Sequence, residues 1–480
     1  MAVWPGLGRL PGLPGLPDLD GLRHGVGAGL EGVTDLALDR KLRLAITGLR
    51  HSGKTVFTTC LVHHLLQGDQ LPFLDVVREN RLVGARLLPP GPDDDPPPFP
   101  FEAFRAALAD PEPRWPAATE RLTALRLALR FRPKGRLRRQ ISDLATLKLE
   151  ITDYPGEWLL DLPLLERTFE DWSAFTLDLA GRPPRRELAA PWLEHLRGLD
   201  PGAPASDDAA ARLAALYTAY LRRCQDEAGL HLVQPGRFTQ PGELAGSPLL
   251  QFCPLPPGDH PSGGLHALMA RRFDRYRRKV VRRFYRDHFS RFDRQIVLID
   301  LFTALNRGPA AWLDLRAALG VVLASFRYGR SGLLSRLFSP RIDRVLFAAT
   351  KADHVAHNQH HNLRLLLERL VADAAREARF EGVTTGFIAL AALRCTDTVR
   401  TDYQGQSLSC VRGVLKDEGR ETVLFPGEIP PEPPDPADWP PDRFRFRDFA
   451  PRRLWTHGVK APQHVRLDQA LQFLVGDRLE

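Results

Sequence analysis

Residues 46–57, ITGLRHSGKTVF, constrain the fold more than any other stretch of the chain. Gly48, Leu49, Arg50, His51, Ser52, Gly53, Lys54 and Thr55 fill the pattern GxxxxGK[ST], and Val56 opens the apolar-periodic run that follows. An apolar run, Leu42–Ile46, precedes the motif and VFTTCLVHHLL continues from it, an order that reads strand, loop, helix. The glycines let the backbone wrap closely, so that successive N–H groups and the positive end of the helix point at a phosphate. Lys54 then supplies charge at the β/γ-phosphates and Thr55 a hydroxyl for a magnesium ion. Lysine is scarce, 8 residues against 58 arginines, which makes a chance match to a lysine-centred motif rare.

Two further motifs lie downstream in the order this chemistry requires. Asp153–Gly156 is DYPG, at the end of a run that places Leu147, Leu149 and Ile151 opposite Lys148, Glu150 and Thr152. A carboxylate there holds magnesium through water, and the N–H of Gly156 bonds a γ-phosphate and senses its presence. Thr350, Lys351 and Asp353 belong to TKAD, directly behind the apolar run RVLFA, with His354 next in line. A fixed carboxylate accepts two hydrogen bonds from guanine N1–H and its exocyclic amine, which adenine cannot offer, while the Lys351 stem lies against the base. The run FIALAALRCT is expected to add backbone N–H groups at Ala391, Ala392 and Leu393 facing the guanine oxygen. GTP/GDP and Mg2+ are the expected ligands.

At 480 residues and 43% apolar composition the chain calls for more than one compact unit. Five scattered cysteines without a CxxC pair argue against a disulfide framework or zinc site and fit a reducing cytosol. No run reaches the roughly 18–20 apolar residues of a membrane span, and the Pro/Gly-broken N-terminus lacks the core of a secretory signal, so a cytoplasmic protein is expected, with peripheral association at the inner membrane as an extension. The expected fold is α/β, a P-loop NTPase of the Ras-like kind with a mainly parallel sheet and a largely helical inserted domain. A Gly/Pro-rich leader covers 1–40. The first part of the G domain covers 41–160, with a Pro-rich insertion at about 71–120. A helical insertion covers 161–294, the second part of the G domain 295–400, and a C-terminal extension with a closing helix 401–480. Residues 125–131 and 147–151 form an antiparallel pair, and 295–302, 344–350 and 386–393 form buried strands.

Together these segments resemble the YcjX family of bacterial Ras-like, stress-associated P-loop proteins. The likeness rests on ITGLRHSGKT, ITDYPGEWLLDLPLL (151–165), HFSRFDRQIVLIDLFTALNRG (288–308) and FAATKADHV (347–355), and it covers most of the chain from about residue 40. It implies a GTP-binding core, magnesium, and a cytoplasmic protein working beside an inner-membrane partner protein.

Where many Ras-like enzymes carry a water-orienting glutamine after DxxG, this chain has Glu157. A carboxylate ~4 Å from a γ-phosphate is repelled by about 4 kcal/mol at intermediate dielectric, so slow, partner-dependent turnover is expected, with Lys54, Asp153, Gly156 and Glu157 as the catalytic set. Arg50 and His51 are alternative internal electrophiles. Thr146 and Ser142 are the candidates for a switch hydroxyl. His354, His357, His360 and His361 read as a solvated helix start rather than a metal site. Residues 271–294 hold 11 basic and 3 acidic side chains, an excess of 8 that equals the whole chain's net charge. Their stripe of Phe273, Tyr276, Val280, Phe284 and Phe292 packs on the core, leaving a wet basic face able to contact an anionic surface; no specific nucleic acid is expected. Two other readings stay open, an ATP-using P-loop NTPase and a nonenzymatic nucleotide-binding scaffold at the membrane.

Overall fold

The structure, a computed structural model, describes residues 40–90, 96–118, 120–134, 142–200, 202–258, 260–324, 342–440, 443–455 and 462–480. All but the last residue of the expected leader lies outside them.

Long apolar runs become parallel strands buried on both faces. β1 (Arg40–Gly48) lies between β4 (Ala145–Asp153) and β5 (Arg294–Ile299), with β6 (Arg344–Ala349) and β7 (Thr384–Ala389) following, all parallel. β3 (Thr123–Phe131) pairs antiparallel with β4, and the edge strand β2 (Leu82–Leu87) antiparallel with β3, which gives the order β2-β3-β4-β1-β5-β6-β7. Leu127 faces Leu149 and Leu129 faces Leu147, the pairing that their alternation called for. All six residues of β5 are buried, as a central parallel strand requires.

Alternation sends the strands' side chains to two cores. Leu42, Leu44, Ile46, Ile296 and Leu298 pack with Phe57 and Leu61 of α1 (Lys54–Gln67) and with Leu471 and Leu474 of the closing helix Leu467–Val475. Ala45, Val297, Ile299, Val345 and Phe347 face the other way. Their core continues without a break into the helices between β4 and β5. Those helices are α2 (Phe169–Ala180), α3 (Arg185–Arg197), α4 (Asp207–Asp226), α5 (Leu265–Tyr276) and α6 (Arg282–Asp287). A π-helical turn, Arg277–Val281, joins the last two. Aromatic rings fill the centre, Trp172 stacking on Phe273 at 5.1 Å. The expected stripe is buried at Phe273, Tyr276, Val280, Phe284 and Phe292, while Arg271, Arg275, Arg278, Lys279, Arg282 and Arg283 stay exposed.

Two boundaries and one element differ from expectation. The strand expected over 295–302 stops at Ile299, because the Asp300 carboxylate accepts from the N–H groups of Phe302 (3.0 Å) and Thr303 (3.3 Å) and starts α7 (Leu301–Arg307), which α8 (Pro309–Ala324) follows. The strand expected over 386–393 ends at Ala389. A second sheet of β8 (Asp397–Tyr403), β9 (Gln406–Val414) and β10 (Glu421–Leu424) was not expected at all. Gln404 and Gly405, at φ 51° and 78°, make the two-residue turn that joins β8 to β9.

Candidate functional site

The carboxyl ends of β1, β4, β5 and β6 converge on one edge of the sheet, and the sequence motifs converge with them. After β1 the chain turns through His51 (φ 64°) and Gly53 (φ 83°) into α1. A Cβ on Gly48 would lie 2.5 Å from the Leu298 carbonyl oxygen, so the backbone passes where only glycine fits. Lys54 Nζ donates to the Gly48 carbonyl at 2.6 Å, which folds the ammonium back across the loop. Ser52 Oγ is buried inside the loop with no hydrogen-bond partner among the described residues. Val56 and Lys54 are half-buried, and Leu49 and Thr55 are buried.

Parallel register sets Asp153 opposite Ile46, and so brings DYPG to the same loop. Contact is intimate: a Cβ on Gly156 would stand 2.5 Å from the Gly48 carbonyl oxygen. Asp153 is 1% exposed and Thr55 6%. The chain then runs as a 3₁₀ helix, Gly156–Glu166, whose Glu157 is buried. Asp161 of this helix accepts from Gly236 N–H at 2.7 Å, Arg237 N–H at 3.3 Å and Tyr276 Oη at 2.5 Å. Burial drives its carboxyl up to about 6 against the pull of those donors.

The other end of the cleft is assembled from distant segments. Thr350 N–H donates to the Ile299 carbonyl at 3.0 Å, tying TKAD to the end of β5. Lys351, at φ 58°, sends its ammonium to Asp300 (2.8 Å) and to Asp448 (3.0 Å). Burial alone would raise the Asp300 carboxyl, but the Lys351 charge and the hydrogen bonds from Lys351 and Thr303 outweigh it and hold it below the usual range. Asp353 Oδ2 accepts from Cys395 N–H at 2.6 Å, leaving Oδ1 on a carboxylate only 5% exposed. The two ends sit side by side, since β5 pairs with both β1 and β6. His51, in the glycine loop, has its pKa lowered by burial and by the charges of Arg50 and Lys351, while Asp300 and Asp448 oppose them.

Several expected roles do not match this geometry. The Ala391 N–H is consumed by the Val465 carbonyl (3.0 Å), so the donors on that segment reduce to Ala392 and Leu393. His354 is a wall residue, buried between the rings of Phe302 and Phe449, and His360 is buried too, so only His357 and His361 of that cluster are solvated. Arg50 turns to Asp226 at the end of α4. Thr146 pairs with Arg130 at the far end of β4, and Ser142 bonds the Leu144 carbonyl, so neither reaches the cleft. Sequence reasoning also missed Asp300 and Asp448, whose only signals are an aspartate closing a strand and an acidic residue in a polar C-terminal stretch. Among the described residues no group of three or more His, Cys, Asp or Glu could hold a metal ion, and no helix is long and apolar enough to cross a membrane.

A mainly parallel sheet carrying a glycine-rich phosphate loop after β1 and DxxG after the neighbouring strand, with a helical insertion, defines a Ras-like P-loop NTPase. The particular family follows from sequence comparison: the family model described as "YcjX-like family, DUF463" matches residues 42–479, and the chain belongs to that family. It is 43% identical over 466 residues to "Ras-like GTPase YcjX" of Escherichia coli K12, covering 94% of this chain and 98% of that protein. It is 37% identical over 486 residues to the protein of the same name from Shewanella oneidensis, covering 96% and 99%.

Proposed function

We propose that the protein binds guanine nucleotide and hydrolyses GTP to GDP and phosphate, slowly and with Mg2+, as a switch whose state passes from the segment after Asp153 into the helical insertion of residues 161–294. One observation supports the reading: Lys54 and Asp353 follow the carboxyl ends of β1 and β6, which both pair with β5, and Lys351 beside Asp353 lies close enough to act on His51 of the phosphate loop. The relatives' printed name points the same way. The glycine cradle with the unpartnered Ser52 Oγ suits a phosphate, and the oxygens of Thr55 and Asp153 suit a hard cation such as Mg2+, which when bound neutralises phosphate charge. Titration of the full chain with GDP and ADP tests it. GDP is expected to bind at least 100-fold more tightly, since ADP leaves the Asp353 carboxylate unpaired. ADP displacing GDP at equal concentration would replace this reading with the ATP-using one, and tight binding without phosphate release under any condition would leave a scaffold.

A second reading concerns partners. Six exposed cations line the π-helical turn and the helices flanking it, and Lys279 and Arg283 join Arg121 and Arg237 around a cavity of about 610 Å³ beside Trp158, which Glu120 and the Arg237-paired Glu243 also line. This arrangement favours an anionic surface as the docking ground, as does the inner-membrane partner and stress association implied by the family resemblance. Co-sedimentation with phosphatidylglycerol vesicles, lost when Arg275, Arg278, Lys279 and Arg282 are changed to Gln, is the expected result; binding that survives the change would remove the segment from that role.

A further inference from the structure

The segment from Asp226 to Gly236, which leads out of α4, crosses the phosphate end of the cleft. At one end the Asp226 carboxylate pairs with Arg50 of the glycine loop. At the other, Gly236 presses on the residue after DxxG so closely that a Cβ would lie 1.9 Å from the Glu157 carbonyl oxygen. His231 lies midway, buried, and its Nε2 has no hydrogen-bond partner among the described residues. The backbone that carries it is clamped. The N–H groups of His231 and Leu232 donate to Asp314 Oδ2 at 2.5 and 2.9 Å, and Arg185 grips both Asp314 and the Leu232 carbonyl. Clamping of this kind fixes a functional side chain rather than a mobile loop.

Two buried polar groups therefore lie at this end, close enough for the charge of one to act on the other: the Glu157 carboxylate on the DxxG side and, on the insertion side, His231 Nε2, which has no hydrogen-bond partner among the described residues. We propose that His231 is a water-positioning residue for GTP hydrolysis, and that Nε2 and the Glu157 carboxylate accept the two hydrogens of the attacking water so that its lone pair faces the γ-phosphorus. The inference rests on the GTPase reading above. The water oxygen bonds to the γ-phosphorus, and the bond to the β–γ bridging oxygen breaks with its electron pair left on GDP. One water proton stays on the attacking oxygen and the other passes to a γ-phosphate oxygen, so GTP⁴⁻ and water become GDP³⁻ and H₂PO₄⁻. Only an unprotonated Nε2 can accept a hydrogen bond. Burial lowers the imidazole's pKa, with Arg50 of the loop adding to it, against Asp314 of α8, Glu157 and Asp300.

The pairing also answers the absence of glutamine. One carboxylate facing a γ-phosphate is repelled, but a carboxylate and a neutral imidazole sharing one water supply both acceptors with a single charge.

Single-turnover GTP hydrolysis by the full chain and by His231→Ala and His231→Gln, with fluorescent-GDP affinity and thermal midpoints measured alongside, tests the proposal. His231→Ala is expected to slow hydrolysis about 30-fold or more while the GDP dissociation constant moves less than about threefold. His231→Gln, whose carbonyl also accepts, is expected to recover most of the rate and to lose the acid limb of the wild-type pH profile. A wild-type rate and pH profile in His231→Ala, or a rate loss matched by equal loss of GDP affinity and not restored by Gln, overturns the proposal alone. A wild-type chain that binds no guanine nucleotide overturns the GTPase reading, and this one with it, before any variant is made.

Discussion

The two ends of the cleft are built on opposite plans. At the phosphate end, eight consecutive residues and one short motif on the adjacent strand make the cradle, and their backbones touch: Gly48 leaves no room for a methyl group on Gly156, and Ser52 and Leu298 leave none on Gly48. At the base end, Asp300, Lys351, Asp353, Cys395 and Asp448 come from four separate stretches and meet through side chains and the Cys395 backbone N–H. A backbone cradle tolerates almost no change at its glycines and is rigid before any ligand arrives. A side-chain box can be retuned one group at a time, which makes it the place where specificity is set and where single substitutions act in proportion to burial.

If that contrast holds, the largest effect belongs to Gly156→Ala. The new methyl would lie 2.5 Å from the Gly48 carbonyl oxygen, so the DYPG turn must withdraw from the loop. Single-turnover hydrolysis is expected to fall about 100-fold or more, since contacts at the γ-phosphate are worth that much in related chemistry. GDP, which has no γ-phosphate, is expected to bind within a few-fold of wild type. Equal loss in both would mean that the loop itself deforms, and that the cradle is softer than described.

Next comes the latch behind the same turn. Asp161 joins the 3₁₀ helix to Gly236, Arg237 and Tyr276, with its carboxyl driven up to about 6 by burial against an ordinary 3.8. A folded-state pKa above the unfolded one means that the fold binds the proton more tightly. The associated stability, about 3 kcal/mol, is present below pH 4 and is lost as the pH rises through 6. Denaturant titrations of wild type and Asp161→Asn between pH 4 and 7 are expected to converge on different slopes, the wild type losing that increment with rising pH and the variant not. Parallel curves would show that the carboxyl is already ionised throughout.

At the base end, Asp353→Asn is expected to weaken GDP binding 10- to 100-fold, roughly 1.4–2.8 kcal/mol, and to improve xanthosine diphosphate binding, since the amide offers a donor where xanthine has an oxygen. The Oδ2 bond to Cys395 N–H holds the carboxylate in place, so the effect should appear in affinity with little change in thermal midpoint. Unchanged preference for guanine would move the specificity to the Ala392–Leu393 backbone and collapse the contrast between the ends.

The same difference explains what the sequence disclosed. GLRHSGKT and DYPG are legible because backbone geometry demands particular residues at fixed spacing, and the apolar runs of β1, β5 and β6 are legible because both sheet faces are covered. Asp300 was hidden inside a run read as strand to 302, although an aspartate followed by LFT is a helix start in its own right. Asp448 and the sheet β8–β10 were hidden for a different reason. That sheet is small, with Val414 and Val423 exposed, so its alternation does not separate an apolar face from a polar one. His231 carried no signal whatever in sequence, since only the fold brings residues 226–236 between Arg50 and Glu157.

Asp448→Ala gives the smallest expected effect and the finest test. Lys351 is held by two carboxylates of unequal standing: Asp300 is 2% exposed at its side chain and Asp448 is 56% exposed. Water and salt screen the outer pair, so it is worth about 0.5 kcal/mol or less, while Asp300 alone keeps the ammonium over the end of β5. GDP affinity is expected to change less than about threefold, and the change should vanish at 0.5 M salt, where the Debye length is shorter than about 5 Å. If Asp448→Ala instead weakened GDP tenfold at high salt, the C-terminal segment would be a wall of the base site in its own right rather than a screened neighbour. The rings of Phe446 on Phe302 and of Phe449 on His354 would then be the contacts that make it one.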